Sequence, residues 1–241
     1  MKVLELFACA GGASRGLVAA GNQVIATDID AGYLYHNPIG IDSYDGSPHG
    51  GFNAPVRQPW EWIAENALST IEVLPWQDAL DKHADWADWI WASPPCQLYS
   101  VTSPLSGEGY EDLVSPVRER LLSIGKPYVI ENVPEAPLVT PLMLCGCMFY
   151  GLRVYRPRHF ESNLSLAQPD HYPHKQTVVK MGRPAELGKR ISCQGHVSNL
   201  HVTRAGMGYD PDDLIPQRAL SESIPPHFAF YIAQEMNRLL S

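Results

Sequence analysis

The sequence predicts an α/β fold in which helices cover both faces of a parallel or mixed sheet. Short apolar segments alternate along the chain with segments of helical periodicity, as is typical of sheets built with helical crossovers. The first unit is a strand, a glycine turn, a helix and a second strand, over Val3–Phe7, Gly11-Gly12, Ser14–Ala20 and Gln23–Thr27. In this architecture ligands bind beyond the carboxyl ends of the strands.

The rest of the chain continues this alternation. Further helices are predicted over Trp60–Thr70 and Arg118–Ile124, and further strands over Ile71–Trp76, Trp86–Ala92 and the segment that ends at Glu131-Asn132. Pro225-Pro226 at the start of an amphipathic pattern predicts a C-terminal helix. Two stretches rich in turn residues are predicted to be loops, Asn37–Pro59 and Leu98–Val114, and the second has the composition of a mobile lid.

Composition places the chain among globular proteins with a sizeable core. Of its 241 residues, 45% are hydrophobic and 18% are charged, which is ordinary for such proteins. No apolar run approaches the ~18 residues of a membrane-spanning helix, and the first residues have the pattern of a strand rather than of a signal peptide. Five cysteines are too few for a disulfide framework, so we expect a reducing, cytoplasmic environment.

Charge is distributed unevenly along the chain. The formal net charge of −8 argues against a broadly basic surface. Half of the 18 Lys and Arg residues nevertheless lie between Met148 and Ala205, together with only three acids. A solvated basic face would explain a small cluster, whereas an asymmetry of this size favours a polyanion that contacts one face of the protein.

The glycine turn and the acid after the second strand predict a site for a nucleoside-containing cofactor. Gly11 and Gly12 would let the backbone approach the ligand, and Asp28 would accept hydrogen bonds from ribose hydroxyls. Asp78 is expected near the end of the next strand, at the same edge of the sheet. Sites for NAD and for S-adenosylmethionine share this pattern. Because "FACAGG" lacks the G-x-G-x-x-G spacing that cradles a pyrophosphate, a phosphate-free cofactor is favoured.

The stretch "WIWASPPCQLYS" (Trp89–Ser100) predicts a reactive group at that edge. Pro94 and Pro95 end the strand and stiffen the chain that presents Cys96. A free cysteine is often only a small buried hydrophobe, and an acid such as Glu131 often only caps a turn. Together at strand ends they suggest covalent catalysis, in which a thiolate is the nucleophile and a carboxylic acid of raised pKa donates a proton.

Several Cys and His residues have some features of metal ligands. The candidate groups are Cys193-x2-His196-x4-His201, Cys145-x-Cys147 and His171-x2-His174. No two pairs match the spacing of a standard zinc site. We therefore expect no metal.

The order of these motifs resembles that of the DNA (cytosine-5) methyltransferases, and most closely their compact, phage-type members. "LELFACAGGASRG" (Leu4–Gly16) is similar to the first motif of the family, "TDID" (Thr27–Asp30) to the second and "WQDAL" to the third. "PPCQLYS" (Pro94–Ser100) matches the Pro-Cys-Gln motif of the nucleophile, and "ENV" (Glu131–Val133) matches the motif that grips the cytosine. "YRPRHF" carries an Arg-x-Arg pair, and "SESIPPHFAFYIA" resembles the closing motif.

The resemblance implies a Rossmann-like, class I S-adenosylmethionine-dependent methyltransferase fold with a mixed sheet and helices on both faces. It also implies a catalytic and cofactor-binding domain over 1–160, a small basic target-recognition region over 161–205 and a returning C-terminal segment over 206–241. The residues that would bind S-adenosyl-L-methionine are Phe7, Ala8, Gly11, Gly12, Asp28, Ile29, Asp78 and Pro95. The residues that would bind DNA are Pro95, Gln97, Ser100, Asn132, Lys175, Lys180 and Arg183.

The resemblance further implies a mechanism on a cytosine flipped out of the DNA stack. Cys96 would add to C6, so that C5 becomes nucleophilic enough to take the methyl group. Glu131 would bind N3, Arg158 would hold O2, and Arg156 would support Arg158 or a phosphate. Such an enzyme would act in restriction-modification, in a prokaryotic or phage-infected cell, and we favour a monomer.

Three departures from the family pattern leave alternatives open. Cys9 stands where the family has a glycine, Ser221-Glu222-Ser223 replaces Gly-Asn-Ser or Gly-Asn-Ala, and Glu161–Ala205 leaves only about 45 residues for target recognition. The same chemistry on a free cytidine nucleotide, or with a modified S-adenosylmethionine, is therefore a second hypothesis. A weakly active DNA-binding module is a third.

Overall fold

A seven-stranded sheet forms the centre of the computed structural model, which describes residues 1–29, 69–99, 110–180, 182–193, 199–212 and 215–241. The strands are β1 (Lys2–Leu6), β2 (Gln23–Asp28), β3 (Ser69–Val73), β4 (Trp89–Ala92), β5 (Tyr128–Asn132), β6 (Leu142–Leu144) and β7 (Arg158–Ser162). The helices are α1 (Gly12–Ala19), α2 (Trp76–His83), α3 (Val114–Ile124), α4 (Leu200–Met207), α5 (Gln217–Glu222) and α6 (Pro226–Leu240).

The strand order is β3-β2-β1-β4-β5-β7-β6. Strands β1 to β5 are parallel, whereas β7 runs antiparallel between β5 and β6. The order reverses beside β1, whose neighbours β2 and β4 lead to opposite edges of the sheet. At such a reversal the loops diverge and leave a crevice outside the carboxyl ends of the strands.

Apolar layers lie on both faces of the sheet because alternate residues of each strand point to opposite sides. On β1, Val3 packs into a layer with α1 and α6, whereas Leu4 and Leu6 pack into a layer with α2 and α3. A Cβ atom at Gly16 would collide with the Pro226 carbonyl. Glycine at this position therefore lets α1 pack closely against α6.

The described strands and helices confirm the predicted α/β class with a mixed sheet and helices on both faces. The predicted strand over Ile71–Trp76 is wrong at its end, since β3 stops at Val73 and Trp76 begins α2. Of the predicted helix Trp60–Thr70, only the last two residues are described, and they belong to β3. The loop Asn37–Pro59 and the middle of Leu98–Val114 lie outside the described residues.

The predicted boundaries at residues 160 and 205 fall inside β7 and α4, respectively. The division into three regions stays a prediction. Within the described ranges, no helix is both long and apolar enough to cross a membrane.

Candidate active site

A cavity of about 490 Å³ opens at the carboxyl edge of the sheet. Residues at the ends of β1, β2 and β5 line it, together with the segments that follow β1, β2, β3 and β4, the first residue of β7 and a segment near the C-terminus. The polar and reactive side chains in its lining include Glu5, Cys9, Asp28, Ser93, Cys96, Gln97, Glu131, Asn132, Arg158 and Glu222. The cavity thus brings together groups from both halves of the sequence.

Cys96 reaches this cavity on a short segment that is fixed at two points. The Ser93 amide donates to the Leu6 carbonyl over 3.2 Å, and the Asn132 side-chain amide donates to the Pro94 carbonyl over 2.9 Å. Burial raises the pKa of the Cys96 thiol, the charge of Arg158 opposes that rise, and the charge of Glu131 adds to it. Asn132 thus helps to position Cys96, because its hydrogen bond joins the end of β5 to the proline pair.

Glu131 and Arg158 form a buried ion pair beside Cys96, with 3.1 Å between the Glu131 Oε1 and the Arg158 Nε. In the antiparallel register Glu131 lies opposite Phe160, so Arg158 is its diagonal neighbour on the same face of the sheet. Burial raises the pKa of Glu131, while Arg158 and a hydrogen bond from Ser93 lower it. Burial and the neighbouring Arg156 lower the pKa of Arg158 to about 10.

Arg156 lies outside the cavity lining and holds the C-terminal segment in place. Its guanidinium donates to the carbonyls of Ser223 and Ser221 over 2.8 and 2.7 Å, and to the Cys193 sulfur over 3.1 Å. Glu222 and Ser223 belong to the lining. The structure therefore gives Arg156 contacts that shape the cavity wall. Its support of Arg158 or of a phosphate stays a prediction.

The turn after β1 builds the opposite part of the cavity. Asp28 ends β2 and accepts a 3.0 Å hydrogen bond from the Cys9 amide. Phe7 and Cys9 both adopt left-handed backbone conformations, with φ of 61° and 44°. This conformation costs an ordinary residue about 1 kcal/mol, whereas glycine adopts it freely. Cys9 therefore has the backbone geometry that a glycine at this position would adopt without that cost.

Gly12 allows the C-terminal segment to approach this turn. A Cβ atom at Gly12 would lie 2.5 Å from the Tyr209 hydroxyl and 2.6 Å from the Ile224 carbonyl. The Tyr209 hydroxyl itself donates to that carbonyl over 2.8 Å. Ile224, which directly follows Ser221–Ser223, is thus packed against the glycine turn.

Most of the residues assigned from the sequence line the cavity. In the part of the chain that the structure describes, these are Phe7, Ala8, Gly12, Asp28, Ile29, Pro95, Cys96, Gln97, Glu131, Asn132 and Arg158. Gly11 lies just behind the lining as the N-cap of α1, with φ of 70°. Asp78 is exposed on α2, and its neighbours Trp76 and Gln77 line the cavity instead. Ser100 lies outside the described residues.

The segment between Met148 and Ala205, which is rich in Lys and Arg, does not form the uniform cationic face that the sequence predicted. Arg156 and Arg158 are buried, and Arg190 and Arg204 donate to backbone carbonyls. The cations assigned to DNA lie apart from the lining, on the exposed surface, and are Lys175, Lys180 and Arg183. The charge asymmetry of the sequence therefore arises partly from arginines that stabilise the fold.

Sequence reasoning missed Glu5, a buried acid of β1 that lines the cavity. The Ser14 hydroxyl donates to its carboxyl group. Burial raises the pKa of Glu5 to about 8, and the hydrogen bonds from Ser14 oppose that rise. A lone acid within the apolar run "VLELF" was the available signal.

Comparison with known proteins supports the fold. No family model and no curated protein matches the sequence. A DNMT2 mutant of Spodoptera frugiperda matches over 99% of both chains with a TM-score of 0.52 and 13% identity. The S. pombe Dnmt2 methyltransferase matches over 99% of both chains with a TM-score of 0.51 and 13% identity. The Entamoeba histolytica methyltransferase EhMeth, at 11% identity and a TM-score of 0.52, covers 100% of this chain and 99% of its own.

At this level of identity the likeness concerns the fold alone. It confirms the predicted Rossmann-like, class I methyltransferase fold. The compact phage-type character and the reduced recognition region stay predictions.

The raised pKa of Glu5 predicts a pH-dependent stability. Glu5 has an ordinary pKa of 4.5 and a pKa of about 8 in the folded protein. Between these two pH values the folded state binds a proton that the unfolded state has lost, so the free energy of unfolding should fall as pH rises. Glu5→Gln should remove this dependence and, at pH 7, should raise the free energy of unfolding by about 3 kcal/mol. Urea unfolding at several pH values measures both effects.

Glu119→Gln is the control, because Glu119 is an exposed acid of α3. For this variant, the free energy of unfolding should change with pH just as it does for the unmodified protein. The same pH dependence in Glu5→Gln would contradict the account of Glu5.

Proposed function

We propose that this protein transfers a methyl group from S-adenosyl-L-methionine to C5 of cytosine in DNA. One observation carries the proposal: a thiol, a carboxyl group and a guanidinium from three different strand ends, Cys96, Glu131 and Arg158, meet in one cavity with the glycine turn. The match to solved structures described as methyltransferases supports methyl transfer as the reaction class.

The cavity fits a cationic, phosphate-free cofactor. Among the described lining residues the acids are Glu5, Asp28, Glu111, Glu131 and Glu222, and Arg158 is the one Lys or Arg. Glu5 binds a proton up to about pH 8, and Glu131 is paired with Arg158. The other three acids still leave the lining acidic, which favours a ligand with positive groups and disfavours a pyrophosphate. Asp28 is placed to accept from ribose hydroxyls, and Ile29 supplies an exposed apolar side chain for a base. S-adenosylmethionine, when bound, supplies a methyl group activated by a sulfonium.

Cys96 would start the reaction by forming a bond from its sulfur to C6 of the cytosine. The thiol must first lose its proton, which burial opposes and the positive charge of Arg158 favours. Addition would push the electron pair of the C5–C6 double bond toward N3, and C5 would then take the methyl group as its bond to the sulfonium sulfur breaks and leaves a thioether. Loss of the C5 proton to solvent would restore the C5–C6 double bond and expel the Cys96 thiolate.

Glu131 and Arg158 would bind the cytosine ring while charge builds on it. Burial shifts the pKa of Glu131 upward, in the direction that favours sharing of a proton between its carboxyl group and N3. Arg158 would donate to O2, on the side where negative charge increases. Removing either partner would leave the other as an unpaired buried charge, which costs about 3–5 kcal/mol.

DNA is the proposed substrate because half of the Lys and Arg residues lie in one segment, as expected for a protein that contacts a polyanion. The reactive groups lie inside a cavity that a stacked base cannot enter, so the target base would have to leave the stack. Flipping a base out of the duplex costs a few kcal/mol. Phosphate contacts by Lys175, Lys180 and Arg183 on the exposed segment would offset part of that cost. A free cytidine nucleotide would lack these contacts, so its binding would depend little on salt.

Cys96→Ala should abolish 5-methylcytosine formation, because alanine provides no nucleophile for C6. The measurement is mass spectrometry of nucleosides from unmethylated DNA incubated with the protein and S-adenosylmethionine. We expect 5-methylcytosine with the unmodified protein and a loss of at least about 10³-fold in the variant.

Ser123→Ala is the control, since Ser123 is an exposed residue of α3 outside the lining of the cavity; it should retain Cys96-dependent product. Unchanged cytosine with the unmodified protein would contradict the proposed substrate or donor. Equal product with Cys96→Ala would contradict the covalent mechanism.

Arg156→Lys and Arg158→Lys should affect different steps. Lysine at 156 lacks the planar guanidinium, whose separate nitrogens donate to Ser221, Ser223 and Cys193. The cavity wall should therefore loosen, and the Kd for S-adenosylmethionine should rise about tenfold, or ~1.4 kcal/mol. Lysine at 158 should leave this Kd nearly unchanged and lower kcat at least about 100-fold.

Calorimetric titration measures the Kd for S-adenosylmethionine, and turnover at saturating S-adenosylmethionine measures kcat. A fall in kcat without weaker cofactor binding in Arg156→Lys would instead indicate direct contact with the substrate.

A further inference from the structure

Four side chains with metal-binding atoms meet on the side of the molecule where β6 ends. The Cys145 sulfur lies 3.4 Å from the Cys147 sulfur and 3.2 Å from the His174 Nε2, which lies 3.2 Å from the His171 Nε2. All four atoms lie within 4.8 Å of one another. The sequence predicted no metal, yet the fold brings two of its three candidate groups together.

The spacing of these atoms fits a tetrahedral site. Zinc binds cysteine sulfur at about 2.3 Å and histidine nitrogen at about 2.0–2.1 Å, so two ligands of one tetrahedral ion lie about 3.3–3.8 Å apart. The observed separations of 3.2–3.4 Å are close to this range. Two sulfur and two nitrogen ligands form a set that suits zinc.

We propose that Cys145, Cys147, His171 and His174 bind a structural zinc ion. Four protein ligands complete a tetrahedron and leave no position for a reacting water or substrate, which distinguishes structural from catalytic zinc. None of the four lines the candidate active-site cavity. The site is therefore separate from the groups proposed to carry out methyl transfer.

The backbone around the two cysteines holds them in place. Cys145 and Cys147 flank Gly146, whose amide donates to the Tyr155 carbonyl over 2.6 Å and whose Cβ, if present, would collide with the Val154 carbonyl. The Cys145 sulfur lies 3.3 Å from the same Tyr155 carbonyl. A glycine between the two cysteines thus lets this segment pack closely against Val154 and Tyr155.

The surroundings of the histidines are also ordered by Tyr155. Its ring stacks on His174 with 3.7 Å between centroids and 12° between planes. Its hydroxyl donates to the Gln176 carbonyl over 2.6 Å and accepts from the Gln176 amide over 3.0 Å. Contacts that fix the orientation of metal-binding imidazoles are a regular feature of metal sites.

A metal ion would explain how the segment after β7 is held. In residues 163–180 and 182–190, the β-pairing consists of a single bridge between Val178 and Arg190. Most side chains in these residues are exposed. A segment that buries so little apolar surface cannot offset its conformational entropy by packing. A zinc ion would tie His171 and His174 to the cysteines after β6, and so to the sheet.

The first test is the zinc content of the full chain, purified in reductant and dialysed against metal-free buffer. We expect about one zinc per chain by elemental mass spectrometry, and less than about a tenth of that in Cys147→Ser and in His171→Gln. His201→Gln is the matched control, because His201 is an exposed histidine of α4 outside the cluster, and it should retain zinc. A metal-free unmodified protein, or zinc retained in both ligand variants, would overturn the proposal.

A second test uses the unmodified chain and does not depend on the folding of variants. Cobalt(II) added after removal of zinc by a chelator should produce the charge-transfer absorption of thiolate ligands with one-to-one stoichiometry. The chelated protein should also be cleaved by trypsin within residues 163–190, and added zinc should restore protection. Absence of the thiolate band together with unchanged cleavage would overturn the proposal, as would a Cys145–Cys147 disulfide found by mass spectrometry in reductant.

Discussion

The buried ion pair between Glu131 and Arg158 is the interaction on which the site depends. Both side chains are about nine-tenths buried, and their charges lie 3.1 Å apart. Each compensates a charge that would otherwise be costly in the interior. The antiparallel insertion of β7 beside β5 makes this pairing possible, because it places Arg158 diagonally across from Glu131. Cys96 lies close enough for both charges to act on its thiol, in opposite directions.

A second constraint joins the two ends of the chain. The strands near the N-terminus supply the glycine turn and Asp28, but the wall that faces them comes from the segment around Ser223. Arg156 donates to two carbonyls of that segment, and Gly12 leaves room for it. The two arginines of one motif therefore have separate roles, since Arg158 faces the cavity and Arg156 holds its wall.

Sequence patterns predicted the fold class and most of the cavity because strand ends and turns are locally encoded. Pro94-Pro95 predicted where β4 stops, and the apolar run before Glu131 predicted β5. Asp78 was misplaced because "LPWQDAL" begins a helix at Trp76, which the apolar residues around it concealed. The cluster of Cys145, Cys147, His171 and His174 could not be predicted, since the cysteine pair and the histidine pair are far apart in sequence. Within each pair the residues are also too closely spaced for a standard zinc motif.

The most direct test of the covalent mechanism is capture of its intermediate. DNA with 5-fluorocytosine at the target base should add to Cys96 and accept the methyl group, but fluorine at C5 cannot leave as a proton does. The protein, DNA and S-adenosylmethionine should therefore form a complex that survives denaturation, with the mass of protein plus methylated DNA. Peptide mapping should locate the modification at Cys96. A complex that dissociates on denaturation, or a modification at another cysteine, would contradict the account.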